Sequence, residues 1–118
     1  MPKGYSRLQK VGQVIQISLA EILLREVKDT RFNLVTITHV DVSPDLANAK
    51  IFVSVWDDTK TEETITALNH AAKYLRYTLA QTIELRIIPA LRFHYDDSTA
   101  RGNRIALLIN SVLKENDE

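Results

Sequence analysis

Apolar residues recur every three or four positions near the start of the chain, at Leu8, Val11, Ile15, Leu19 and Ile22, with no proline between Lys3 and Pro44. That spacing predicts an amphipathic helix from about Ser6 to Val27. Val14, Ile17, Leu23 and Leu24 widen its apolar surface, which predicts packing against a sheet. The period then shortens to two. Val35-Thr36-Ile37-Thr38-His39-Val40-Asp41-Val42 is rich in β-branched residues, and its apolar positions change parity between Ile37 and Val40, so a strand with a bulge or twist is expected. Beyond the turn Ser43-Pro44-Asp45, Ala49, Ile51, Val53 and Val55 alternate with Lys50, Phe52, Ser54 and Trp56 in a second strand. The short connection implies an antiparallel hairpin.

Asp57 to Glu63 supplies turn formers, candidate N-caps at Thr59 or Thr61, and acids suited to the positive end of a helix. Ile65, Leu68, Ala72, Leu75, Leu79 and Ile83 then hold one helical register, which locally reads as a single helix between Thr61 and Glu84. In the stretch Leu85 to Asp96, Ile87, Leu91, Phe93 and Tyr95 fall two apart, with Pro89 between them, while Arg86, Arg92 and His94 take the other face. Pro89 cannot donate to a ladder, so the start of this strand is expected at an edge or bulge. Asp97 or Ser98 can cap a final helix built on Ile105, Leu108, Ile109 and Val112. The expected class is α+β, in the order α-β-β-α-β-α. A right-handed crossover would place the helices on one face of a mixed three-stranded sheet.

Composition changes this picture little. A chain of 118 residues with 45% hydrophobic content suits one core that buries roughly two-thirds of the unfolded surface. The absence of cysteine excludes disulfides and thiolate metal sites. No long uncharged apolar run occurs, and Met1 to Arg7 lacks the apolar centre of a signal peptide, so a soluble cytoplasmic protein is expected, with no membrane partner. Formal net charge is zero, which by itself argues against a uniformly basic nucleic-acid binder. Its distribution is uneven. The middle of the chain, residues 41–70, is acidic, whereas six basic residues face three acidic ones from Lys73 to Arg104. A two-faced molecule is one reading and a solvated surface of mixed sign is the other.

The chain resembles the ribosome-binding factor A family. The residues that carry the resemblance are Asp29-Thr30-Arg31, Val35-Thr36-Ile37-Thr38 and Val40, Val42-Ser43-Pro44-Asp45-Leu46 with Ala49, Leu75-Arg76, and Leu85 to Asp96. It covers nearly the whole length, and it lies in their order and spacing, since no single piece is specific. It implies a type II KH-like fold with a three-stranded sheet, one RNA-binding domain over residues 1–118 with a short acidic end from about residue 114. It also implies a monomeric, non-catalytic assembly factor that binds the free small (30S) subunit and its 16S rRNA, assists processing of the RNA 5′ end and late maturation, and matters most in the cold. Ordinary KH domains grip the nucleic-acid backbone through a Gly-x-x-Gly loop, and glycine occurs here only at Gly4, Gly12 and Gly102. In the family that loop is replaced by a helix kink at a small residue, commonly alanine followed two residues later by glycine. The matching triplet is Ala71-Ala72-Lys73. The resemblance therefore places the kink at Ala71, although Lys73 departs from the pattern and no proline or glycine supplies a local cause. A continuous helix is the alternative.

RNA binding needs cations that reach phosphates, and arginine adds planar, bidentate geometry. Arg31, Arg76 and Arg86 lie in the matched motifs. Lys3, Arg7 and Lys10 follow three-four spacing on one helical face, and Lys73 and Arg76 share a face one turn apart. Arg92, Arg101 and Arg104 complete the candidate set. Each alone reads equally as a solvated or salt-bridged surface residue, and Asp29 is placed to pair with Arg31.

Other chemistry finds little support. His39, His70 and His94 lack metal-ligand spacing, so neither a metal nor a cofactor is expected. Asp57-Asp58 and Asp96-Asp97 read as helix caps before they read as catalytic pairs. No nucleophile elbow, phosphate loop or dinucleotide fingerprint occurs, so neither an enzyme nor a small-molecule substrate is expected. Phe52 and Trp56 are expected under a helix or loop, with base stacking as the alternative. A protein-interaction module using the open sheet face or the acidic middle segment is the competing function.

Overall fold

The computed structural model describes residues 3–25 and 29–97. Helix α1 spans Lys3–Arg25, and a 3-10 turn over Thr30–Leu34 leads into β1 (Val35–Val42). Then come β2 (Asn48–Val55), a short 3-10 turn over Asp58–Lys60, α2 (Thr61–His70), α3 (Ala72–Thr82) and β3 (Ala90–Tyr95). The sheet runs β1-β2-β3, with β1 antiparallel and β3 parallel to β2. The helix expected at Ile105 to Val112, and the acidic end from about residue 114, lie outside the described residues.

Alternation decides the two faces of the sheet. Val40, Val42, Ala49, Ile51, Val53, Leu91 and Phe93 point into the core, where Ile15, Leu19, Ile22 and Leu23 of α1 meet Leu68 of α2 and Leu75 and Leu79 of α3. Helix α1 packs on β1 and α3, while α2 and α3 both pack on β3. Gly12 is buried where α1 meets β1. A Cβ built there would meet the Val40 carbonyl oxygen at 3.1 Å, so the missing side chain lets α1 lie down on β1.

The parity change in β1 is a bulge: the register shifts between Ile37 and His39. Side chains supply hydrogen bonds where the ladder is disturbed. Gln16 Nε2 of α1 donates to the Ile37 carbonyl at 3.0 Å, and Thr38 Oγ1 donates to the Phe52 carbonyl at 3.2 Å. The hairpin turn is tied by Ser43 and Asp45, with Asp45 Oδ1 accepting from Ser43 Oγ at 2.6 Å and from Ala47 N–H at 3.0 Å. Leu46 takes a left-handed φ of 61° there, a conformation costly to a branched residue, and its side chain packs against the core.

Several expectations need correcting. Helix α1 starts earlier than Ser6, at Lys3, and its expected end at Val27 lies outside the described residues. Val14, Ile17 and Leu24 do not widen its buried face; they are exposed on the side opposite Ile15 and Leu19, because one sheet covers only one stripe of a helix. Neither Thr59 nor Thr61 caps α2. Lys60 stands at the N-cap without a side-chain bond, and Asp57 instead accepts from Thr59 N–H at 3.0 Å, capping the 3-10 turn. Ile87 is 49% exposed, because β3 begins only at Ala90. Pro89 is buried and interrupts the alternation, so Arg86 stands in the connection and not on the strand. Trp56 is not covered by a helix or loop among the described residues: it is 85% exposed.

Candidate nucleic-acid interface

The apolar register from Thr61 to Glu84 does not break in the sequence, yet the helix breaks in the fold. Ala71 adopts φ −89° and ψ 0°, in the sparsely populated bridge region. Its N–H forks to the carbonyls of Ala67 and Leu68, both at 3.1 Å, before Leu75 N–H resumes the helical pattern on Ala71 at 2.9 Å. The two halves have different neighbours. The end of α2 is pinned to β3 by Asn69, whose Nδ2 donates to the Phe93 carbonyl at 3.1 Å while its Oδ1 accepts from Phe93 N–H at 2.8 Å. Helix α3 packs on α1 as well as on β3. Tertiary contacts thus impose the break, and a small residue at the corner permits it. No side-chain hydrogen bond caps the start of α3, which is the positive end of its helix dipole.

Leu75, Thr78 and Leu79 turn α3 into the core, and Lys73, Tyr74, Arg76 and Tyr77 are left exposed. Lys73 and Tyr77 are one turn apart. Tyr74 and Tyr77, the latter 62% exposed, were not among the residues singled out from the sequence. The available signal was two aromatics at solvent-side positions flanking Leu75. Aromatic rings beside cations can stack bases while the cations hold phosphates. Arg76 is only partly available, since its Nε and Nη2 both donate to the Ile88 carbonyl, at 3.0 and 2.7 Å, anchoring the segment that feeds β3. Arg86 is exposed in that same segment, two residues from the carbonyl that Arg76 holds.

The remaining candidates are dispersed. Arg31 is matched locally: Asp29 accepts from its Nε at 3.0 Å and its Nη2 at 2.6 Å, and Glu63 of α2 lies 3.5 Å from Nη1. The Arg31 hydrogen bonds hold the Asp29 carboxyl below its ordinary pKa, and the same bonds raise that of the guanidinium. These pairs fasten the turn before β1 to α2. Arg7 and Lys10 are exposed on the outer side of α1, and Lys3 is the first residue of that helix. Arg92 stands apart on the opposite face of the sheet from the helices, between the buried Leu91 and Phe93. Arg101 and Arg104 lie outside the described residues. No cluster of metal-ligating side chains occurs among the described residues, and no helix among them is long and apolar enough to cross a membrane.

The class follows from the topology: a type II KH-like α+β domain whose second long helix is broken at Ala71. The chain belongs to the ribosome-binding factor A family, whose sequence model matches residues 7–109. It is 46% identical over 121 residues to ribosome-binding factor A of Pseudomonas syringae pv. syringae, covering 100% of this chain and 88% of that protein. To the Pseudomonas putida F1 protein of the same name it is 45% identical over 118 residues, covering 98% and 89%. Among solved structures, crystalline ribosome-binding factor A from Thermus thermophilus superposes with a TM-score of 0.67 at 25% identity, covering 75% of this chain and 94% of that one. A homology model of the Thermus thermophilus protein fitted into a cryo-EM map of a 30S–RbfA complex superposes with a TM-score of 0.58 at 25% identity, over 71% and 89%.

Proposed function

We propose that this protein is a non-catalytic assembly factor of the small ribosomal subunit. It binds the free 30S particle through 16S rRNA, assists processing of the 5′ end and late maturation, and matters most in the cold. The whole chain, residues 1–118, acts as one KH-like RNA-binding domain, monomeric and cytoplasmic. The observation that carries this reading is the α2–α3 corner in a chain of this family: an uncapped helix start followed by exposed Lys73, Tyr74, Arg76 and Tyr77. Backbone N–H groups and cations are suited to phosphates, and the rings to bases splayed from a helix. Binding of this kind requires no nucleophile or metal.

Co-sedimentation with separated 30S, 50S and 70S particles across a salt series tests it. Selective binding to free 30S is expected, with affinity falling on a log-log salt slope of about −0.7 to −0.9 per phosphate neutralised. The double variant Lys73→Glu, Tyr77→Ala should lose 30S binding while keeping its fold, since both side chains are exposed. Arg76→Glu is a poorer probe because it also releases Ile88. Unchanged binding by the double variant would remove this corner from the interface.

A further inference from the structure

The face of the sheet turned away from the helices is open among the described residues, and it is organised in rungs. One rung is aromatic: His39 of β1, Phe52 of β2 and His94 of β3 stand side by side, with ring centroids 6.0 and 5.7 Å apart and successive planes tilted by 30° and 32°. The next rung pairs Asp41, Lys50 and Arg92, two cations to one acid. On the other side of Phe52, the ladder continues past Ser54 to Trp56, whose N–H donates to the Leu34 carbonyl at 3.0 Å. Alternation along β2 therefore places Trp56 on the same face as Lys50, Phe52 and Ser54.

We propose that this sheet face is a second RNA surface, separate from the α3 corner, on which Trp56 and Phe52 stack unpaired bases while Lys50 and Arg92 hold the flanking phosphates. The chemistry of the face selects the partner. It presents flat rings with polar surroundings, Thr36, Ser54 and Asp41, and no large exposed aliphatic side chain on the strands themselves, whereas a protein-docking patch is expected to have an apolar centre. Its cations, Lys50 and Arg92, stand together on neighbouring strands, while Asp41 sits at one end of their rung and Asp96 lies at Thr38, whose Oγ1 donates to it. Aromatic side chains on an open sheet are the means by which single-stranded RNA is held elsewhere, and stacking accepts any base. His94 serves as a ring and not as a cation. Its Nε2 is buried without a partner, and burial, with Arg92 and Lys50 adding to it, pushes the imidazole below its ordinary pKa.

The chain contains a single tryptophan, so its fluorescence reports on this face alone. Titration of the full chain with a short oligouridylate should quench Trp56 emission saturably, and quenching should persist in the Lys73→Glu, Tyr77→Ala background, where the α3 corner is disabled. Phe52→Leu should weaken the quenching isotherm roughly 5- to 150-fold, the range for loss of one stacked base. Lys50→Glu with Arg92→Glu should flatten its log-log salt slope by about 1.4, two phosphates on a single strand. All three substituted side chains lie on the open face, and circular dichroism checks that each variant folds. The proposal is overturned if oligouridylate binds without quenching, if it does not bind, if the sheet variants quench like the parent, or if quenching disappears with the α3 variant. Quenching by RNA-free ribosomal proteins but not by oligouridylate would assign the face to a protein partner and equally overturn it.

Discussion

Replacing Asn69 with alanine probes the joint on which the helix break depends. Asn69 closes a two-bond ring on the backbone of Phe93, at 3.1 and 2.8 Å, imitating a further strand on the outer edge of β3. Alanine deletes both bonds at once and leaves a backbone donor and an acceptor without partners. Each net hydrogen bond contributes about 0.5–1.5 kcal/mol. The Asn69 side chain is itself accessible to solvent, so water takes over part of the vacated bonding and the loss belongs near the middle of that range, about 2 kcal/mol in total. For a domain of this size, about 4 °C of melting temperature accompanies each kcal/mol, which gives a fall of about 8 °C. Urea denaturation should show the midpoint shifting with the slope unchanged, as both end states keep their exposed area. Amide exchange supplies the local reading: Phe93 N–H should lose far more protection than the core amide of Ile51. A loss below about 0.5 kcal/mol, or equal deprotection at both amides, would refute the claim that this side chain joins α2 to β3.

Three further outcomes follow from the same packing. Gly12→Val should destabilise by more than about 2 kcal/mol in chemical denaturation, because its methyls must displace the Val40 carbonyl and with it all of α1. His94→Phe should stabilise by about 1 kcal/mol by removing an unpartnered buried nitrogen. It should also flatten the pH profile: the folded pKa of His94 lies below the ordinary 6.5, so the unfolded chain takes the proton first and parental stability falls as pH drops through 6.5. Asp29, Asp45 and Asp57 all have folded pKa values depressed below 3.8, by Arg31, Ser43 and Thr59 respectively. Their contribution is complete above the unfolded value and is lost as pH falls through the folded ones, so Asp29→Asn should make acid unfolding below about pH 4 less steep.

Helix α1, the hairpin, the bulge near Thr38 and the edge position of β3 were all legible in the pattern of apolar residues. Each is a local matter: one buried stripe every 3.6 residues, one buried face every two, a parity change at a bulge, a proline before an edge strand. The order and spacing of short motifs also sufficed for the family and its KH-like fold, and the absence of a Gly-x-x-Gly loop was plain from three glycines. What the pattern left undecided depends on which neighbours are present. The apolar register runs unbroken through Ala71, because residues seven apart share a helical face whether or not the helix bends; the break appears only when Asn69 binds β3 while α3 turns to α1. Trp56 and Ile17 look like core residues by type, yet both are exposed, and Ile87 left the strand because the buried Pro89 interrupts its alternation. Of the basic residues, composition could offer only a set. Tertiary structure distributed it, committing Arg31 to Asp29 and Glu63 and half of Arg76 to Ile88, leaving Lys73 beside two tyrosines, and sending Arg92 to the far side of the sheet. Hydrophobic burial repeats along the chain and can be read from it, whereas the pairing of charges and rings joins residues far apart in sequence and exists only once the chain has folded.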